Sequence, residues 1–263
     1  VIAQFAIRLI CGMSLAWCLT PRRQITDGFF RIQMLITLGL SVLACLAHLG
    51  GWNNSIPQMA GEPGSAWGIH THTWLCGATA IVAYVGSFTW ALGRRRIGTV
   101  CIVLITALAL VLLVQSARTA SSTSLPMSLM VVASELSTAL LLGAAMVSML
   151  LGHWYLTATG MPLAPLKRLN LVLGVATLLR IALAIIGFVL IGGLPESDHQ
   201  RLLLSLRWLA GLVSPLVVVV MVSRILEYRN TQSATGVLYV GVVLILTGEL
   251  TATLLAHELS MPV

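Results

Sequence analysis

The chain reads as an all-α, polytopic integral membrane helix bundle with about eight transmembrane helices. Three observations predict this. Hydrophobic residues make up 58% of the chain and charged residues only 9%, whereas a soluble domain carries about 25% charged residues. Apolar runs of roughly 20 residues recur, each long enough to cross a hydrocarbon core of about 30 Å. The positive charges fall in every second connection between those runs, which is the pattern of a multi-pass protein.

The predicted spans are 2–19, 29–49, 68–92, 97–116, 127–152, 169–193, 203–224 and 235–257. Residues 1–263 form a single integral membrane domain on this reading. Arg22, Arg23 and Arg31 flank the first connection, and Arg94, Arg95 and Arg96 crowd the third. Lys167 and Arg168 lie in the fifth, Arg224 and Arg229 in the seventh. The even connections are poor in cations and carry Glu62, Glu196 and Asp198. The odd connections are therefore expected in the cytoplasm and both termini outside (N-out and C-out), in a bacterial-type inner (cytoplasmic) membrane.

The first run is expected to stay as a span. It has no basic start and no small-x-small cleavage site, and the bulky Trp17 before Cys18 argues against lipoprotein processing. The net charge of +7 is mostly the arginines that set topology, which lie near anionic headgroups. No connection alternates basic and aromatic residues over a useful length. The lipid bilayer is thus an expected partner and nucleic acid is not.

No GxGxxG, P-loop or nucleophile-elbow signature occurs. Cys11, Cys18, Cys45, Cys76 and Cys101 form no CxxC pair and read as small packing residues, so no metal site is expected. The longest connection, 50–67, is rich in Gly, Pro and Asn and reads as an ordered cap or docking loop on the outer side. The fifth, TATGMPLAPLKR, reads as an extended turn. Trp17, Trp52, Trp67, Trp154 and Tyr228 fall near span ends, as an aromatic belt does. There is no internal repeat, and Pro215 is the one mid-span proline. Transporters often carry broken helices in matched positions, so this weighs against a transporter.

Glu135, Arg180 and Glu249 fall inside predicted spans. A charge at bilayer depth costs about 2.5–3.5 kcal/mol on insertion scales, and such residues face a bundle interior, a partner or a pathway. Glu135 lies nine residues beyond Pro126 and Glu249 eight before His257. At the helical rise, both acids sit roughly 12–13 Å below the outer surface, with Arg180 close to the same layer. Two readings stay open. One glutamate pairs with Arg180 as interhelical glue while the other stays protonated. Alternatively, a carboxyl group held between burial and a nearby arginine handles protons beside a quinone or an ion path.

His48, His70, His72 and His257 fall at outer span ends, His199 in an outer connection and His153 at an inner end. They read as polar caps or, alternatively, as ligands: His48, His72 or His257 would serve a haem b. His70 and His72 are too close in sequence to bind one iron from opposite faces. A di-haem arrangement needs ligands at both depths, which a lone His153 does not supply. His153, followed by Trp154 and Tyr155, reads as part of an interfacial anchor.

The second span ends LACLAHLGGW (43–52), and the eighth reads LILTGELTATLLAHELSM (244–261). These segments resemble the membrane-anchor subunits of dimethyl sulfoxide reductase and polysulfide reductase-type respiratory complexes. In that family a helix ends in HLG at the outer face and a late helix carries GEL. The resemblance implies an eight-span anchor with both termini outside. Such an anchor binds quinone and exchanges electrons with an iron–sulfur subunit, or with cytochrome subunits, of a larger complex. It makes His48 the quinone-site histidine and Glu249 the buried GEL glutamate. The family's third-helix acid has no counterpart here, where the chain reads HTHTWLCG.

The functional expectation is an integral membrane subunit of a respiratory electron-transfer complex that binds quinone or quinol near the outer face. His48 would meet a quinone oxygen, and Glu249 or Glu135 would accept the proton with Arg180 tuning the acid. The alternatives are a haem b subunit, a small proton- or ion-coupled transporter, and a purely structural anchor.

Overall fold

The structure, a computed structural model, describes the backbone of residues 2–50, 64–120, 125–158, 160–191 and 197–259. Side chains are described for 2–50, 71–117, 128–158, 160–189 and 197–256. The helices are α1 (Ile2–Leu19), α2 (Asp27–Leu49), α3 (Gly64–Ala91), α4 (Arg95–Ala120), α5 (Leu125–Thr157), α6 (Ala164–Ile191), α7 (Asp198–Leu206), α8 (Ser214–Glu227) and α9 (Thr231–Leu259). A π-helical segment, Arg207–Val213, joins α7 to α8. Among the described residues there is no strand, and eight helices are long and apolar enough to cross a membrane. These match the predicted spans to within about five residues, α7, the π segment and α8 forming the seventh. Most of the connection read as an outer cap (51–63) lies outside the described residues, as do the side chains of Trp67, His70 and His257.

Consecutive spans pack against each other, the sixth meeting the seventh through α8. α1 and α5 are the most enclosed. α1 packs on α2, α4 and α5, while α5 packs on α1, α4, α6 and α9. In lipid there is no hydrophobic drive between helices, so close approach of small residues supplies the contact. Gly12 on α1 and Gly143 on α5 show this directly: a Cβ on Gly12 would fall 1.7 Å from the Ala139 carbonyl oxygen. Leu, Val, Ile and aromatic side chains on the outward faces remain exposed, for example Leu171, Val175, Val220 and Leu254, as lipid-facing residues are.

The four arginine-bearing connections share one end of the bundle. Arg95 pairs with Asp27 at 2.8 Å, joining the third connection to the first. Trp154 Nε1 donates to Thr26 Oγ1 at 2.8 Å, joining the fifth to the first. The fifth and seventh together line one cavity, with Tyr155 and Lys167 on one side and Leu226 and Arg229 on the other. The opposite end holds the intramembrane charges and the facing histidines.

The π-helical segment has a local cause. Pro215 offers no N–H and its ring crowds the carbonyl of Gly211, four residues back. The chain widens by a residue there: the Ser214 N–H donates to the Leu209 carbonyl, five residues back, and the Ser214 hydroxyl donates to the Ala210 carbonyl. Such insertions recur at functional positions. This one begins at Arg207 and brings Gly211 against Gly248 of α9, where a Cβ on Gly248 would fall 2.1 Å from Gly211 Cα.

Candidate functional site

α9 carries Glu249 directly after Gly248, so the close glycine contact sets this carboxylate deep between helices. Arg180 of α6 meets it with a two-pronged grip: Nε donates to Oε1 at 2.9 Å and Nη2 to Oε2 at 3.0 Å. Thr138 Oγ1 of α5 adds a hydrogen bond to Oε2 at 3.1 Å, and Arg180 Nη1 donates to Ser134 Oγ at 2.9 Å. Arg180 is 3% exposed and Glu249 5%. A buried pair survives only when its remaining donors and acceptors are also satisfied, and here the Ser and Thr hydroxyls do that.

A second pair lies beside the first. Glu135 of α5 accepts from Arg8 Nε of α1 at 2.6 Å and from Arg8 Nη2, and it accepts from Gln4 Nε2 at 3.1 Å. Arg8 Nη1 donates to Thr253 Oγ1 at 3.3 Å, whose hydroxyl in turn donates to the Glu249 carbonyl at 2.8 Å. Gln4, Glu135, Arg8, Thr253, Glu249, Arg180 and Ser134 therefore form one connected network across α1, α5, α6 and α9. Arg207 of the π segment is buried and lies within electrostatic reach of both Arg180 and Glu249.

The structure thus brings together all three charged residues singled out in the sequence, in one layer. It also gives each acid its own arginine: the sequence offers one glutamate to Arg180 and leaves the other, unspecified, protonated, whereas here Glu249 is paired with Arg180 and Glu135 with Arg8. Arg8 and Arg207 are the residues that sequence reading missed. The signal was present, a cation inside an apolar run. Near a span end, however, an arginine resembles one that snorkels to the headgroups.

Between the two pairs is a polar cavity of about 60 Å³ lined by Arg8, Ser134, Glu135, Arg180, Glu249 and Thr253. That volume suits water rather than a ring-sized ligand, for which pockets of about 300–1,000 Å³ are usual. The arrangement can hold helices in register and can pass a proton along hydrogen-bonded water. It does not place a quinone head group between the carboxylates.

The histidines form a separate feature. His48, at the end of α2, and His72, in α3, stack with ring centroids 5.4 Å apart and planes at 23°. Both are half-buried, and neither His48 Nε2 nor His72 Nδ1 has a hydrogen-bond partner among the described residues. Stacked rings face each other by their planes. Axial ligands on opposite sides of a porphyrin face each other by their nitrogens, so this pair as arranged offers a haem at most one imidazole. One ring nitrogen of each is thus enclosed and without a partner among the described residues. Cys45 and Cys76 pack on the same two helices as free thiols. Among the described residues, no hydrogen bond, ion pair or ring contact directly links the histidine pair to Glu249. At the other end His153 meets Tyr239 edge to face at 6.4 Å.

No protein-family model matches this chain, and comparison with curated proteins and with solved structures finds no match.

Proposed function

We propose that this chain is the integral membrane subunit of an electron-transfer complex, and that its His48–His72 pair receives a quinone head group. The observation that carries the reading is the stacked imidazole pair with two buried ring nitrogens that lack partners among the described residues. A buried polar atom without a partner is costly, and a quinone carbonyl or hydroxyl satisfies one at each nitrogen. The HLG and GEL segments support the same reading by resemblance. Iron–sulfur or cytochrome subunits then dock at the histidine end, on the outer face of a bacterial-type inner membrane, with both termini outside. Bound quinol supplies electrons and protons there. His48 and His72 orient the head group and exchange a proton at its oxygens. The paired charges keep α1, α5, α6 and α9 fixed behind that site.

The test is the quinone content of the assembly purified from its own membrane. His48→Ala and His72→Ala are expected to lose bound quinone and quinol turnover while the assembly stays intact. Wild-type quinone content and turnover in both variants would overturn the reading. A reduced-minus-oxidised spectrum decides the haem b alternative: a b-type absorbance change lost in His48→Ala would replace quinone by haem at this pair.

A second reading, a proton route through the charge network, is favoured by the water-sized cavity that touches both ion pairs. Vesicles containing the chain, loaded with a pH-sensitive dye, would then show proton flux that Glu135→Gln abolishes.

A further inference from the structure

A further cavity lies at the arginine-bearing end, far along the helices from the charge network. It measures about 520 Å³ and sits between the α5–α6 and α8–α9 connections. Its cations are Lys167, in the first turns of α6, and Arg229, in the turn before α9. Both are exposed, and neither side chain has a hydrogen bond or ion pair among the described residues. The one carboxylate on the lining, Glu227, is held by Arg224 at 3.7 Å. The Tyr155 hydroxyl is engaged too, donating to the Pro162 carbonyl at 2.5 Å. Two long helices, α6 and α9, begin at this cavity, so their amide-rich ends add positive potential to it.

Arg229 carries the second, independent observation. Its φ is +57°, and it is the one non-glycine residue with positive φ among the described residues. The left-handed region disfavours a branched or long side chain and suits glycine or asparagine. The turn between α8 and α9 would be less strained with either. Strain retained at a named position points to a job for its side chain.

We propose that this cavity binds the phosphodiester head group of an anionic phospholipid. Lys167 and Arg229 contact the phosphate oxygens. Met161, Leu163 and Leu226 on the same lining offer apolar surface that suits the glycerol and upper acyl carbons of a lipid and has no use for a free phosphate. Basic pockets between transmembrane helices at the cation-rich face take lipid head groups in this way.

The experiment uses the purified full chain in neutral detergent. Thermal unfolding is followed while phosphatidylglycerol, phosphatidylcholine or inorganic phosphate is added, and native mass spectrometry counts retained lipid. Phosphatidylglycerol is expected to raise the unfolding temperature and to remain bound, with the effect falling as salt rises. Arg229→Gly is expected to fold at least as well as wild type, because glycine relieves the turn, yet to bind phosphatidylglycerol about five-fold more weakly. Lys167→Gln is expected to weaken binding similarly, and Glu227→Gln to tighten it. Equal affinity of Arg229→Gly and wild type for phosphatidylglycerol would overturn the proposal. So would equal protection by phosphatidylcholine, and protection by inorganic phosphate alone would assign the site to a free anion instead.

Discussion

Arg180 grips Glu249 through two hydrogen bonds, 2.9 and 3.0 Å long, at a depth where both side chains are almost fully enclosed. The pair joins α6 to α9, and the hydroxyls of Ser134 and Thr138 tie both partners to α5. Removing one partner leaves a charge buried without compensation. Glu249→Gln or Arg180→Gln is therefore expected to cost about 3–5 kcal/mol of stability. The double variant Arg180→Gln/Glu249→Gln should recover much of that loss. Unfolding in a graded denaturing detergent, read as a double-mutant cycle, checks it; additive losses would contradict the pairing.

Glu135 and Arg8 form the shallower pair, each with a side chain 12% exposed against 4–6% for Arg180 and Glu249. Partial solvation screens the interaction. Glu135→Gln is expected to destabilise less than Glu249→Gln in the same assay, with a larger dependence on salt. The reverse order would show that the α1–α5 contact, not the α6–α9 contact, governs the bundle.

Two glycine contacts set the helix spacing. Gly143→Ala puts a methyl group against the backbone of Gly12, and Gly248→Ala against that of Gly211. Each is expected to cost about 1–3 kcal/mol or more, because backbone on both sides must move. Gly39, with nothing within 4 Å of a built Cβ, is the control: alanine there is expected to be neutral or to stabilise by up to about 1 kcal/mol through helix propensity. Unfolding temperatures of the three variants check the contrast.

Pro215 creates the π-helical segment that begins at Arg207. Pro215→Ala restores a donor at the position whose absence widened the helix. It is expected to let the segment revert to α geometry and rotate Arg207 by about 100° relative to α8. Arg207→Met should then cost less stability in the Pro215→Ala background than in wild type. Equal costs would show that the widened turn does not position Arg207.

The spans were legible because bilayer thickness imposes length and polarity on every crossing segment, and α1 to α9 follow the hydropathy closely. The common depth of Glu135 and Glu249 was legible too, because helical rise converts sequence position to depth. Their partners were not. Pairing depends on how each helix is rotated about its axis, which the Gly12–Gly143 and Gly211–Gly248 contacts decide and composition does not. Arg8 was hidden by its nearness to a span end. The histidines at one end were visible as a group, but the stack of His48 on His72 follows from the packing of α2 on α3. Pro215 was visible as a break, and the structure adds that the break widens the helix at Arg207.

The central claim places a quinone at His48 and His72 and not between the buried acids. Photolabelling of the intact assembly with an azido-quinone, followed by mass spectrometry of its peptides, tests this most directly. The expected result is label on the segments of α2 and α3 that carry His48 and His72, displaced by excess unlabelled quinone and lost in His48→Ala. Displaceable label on α5 or α9 around Glu135 and Glu249, with none on α2 or α3, would contradict it.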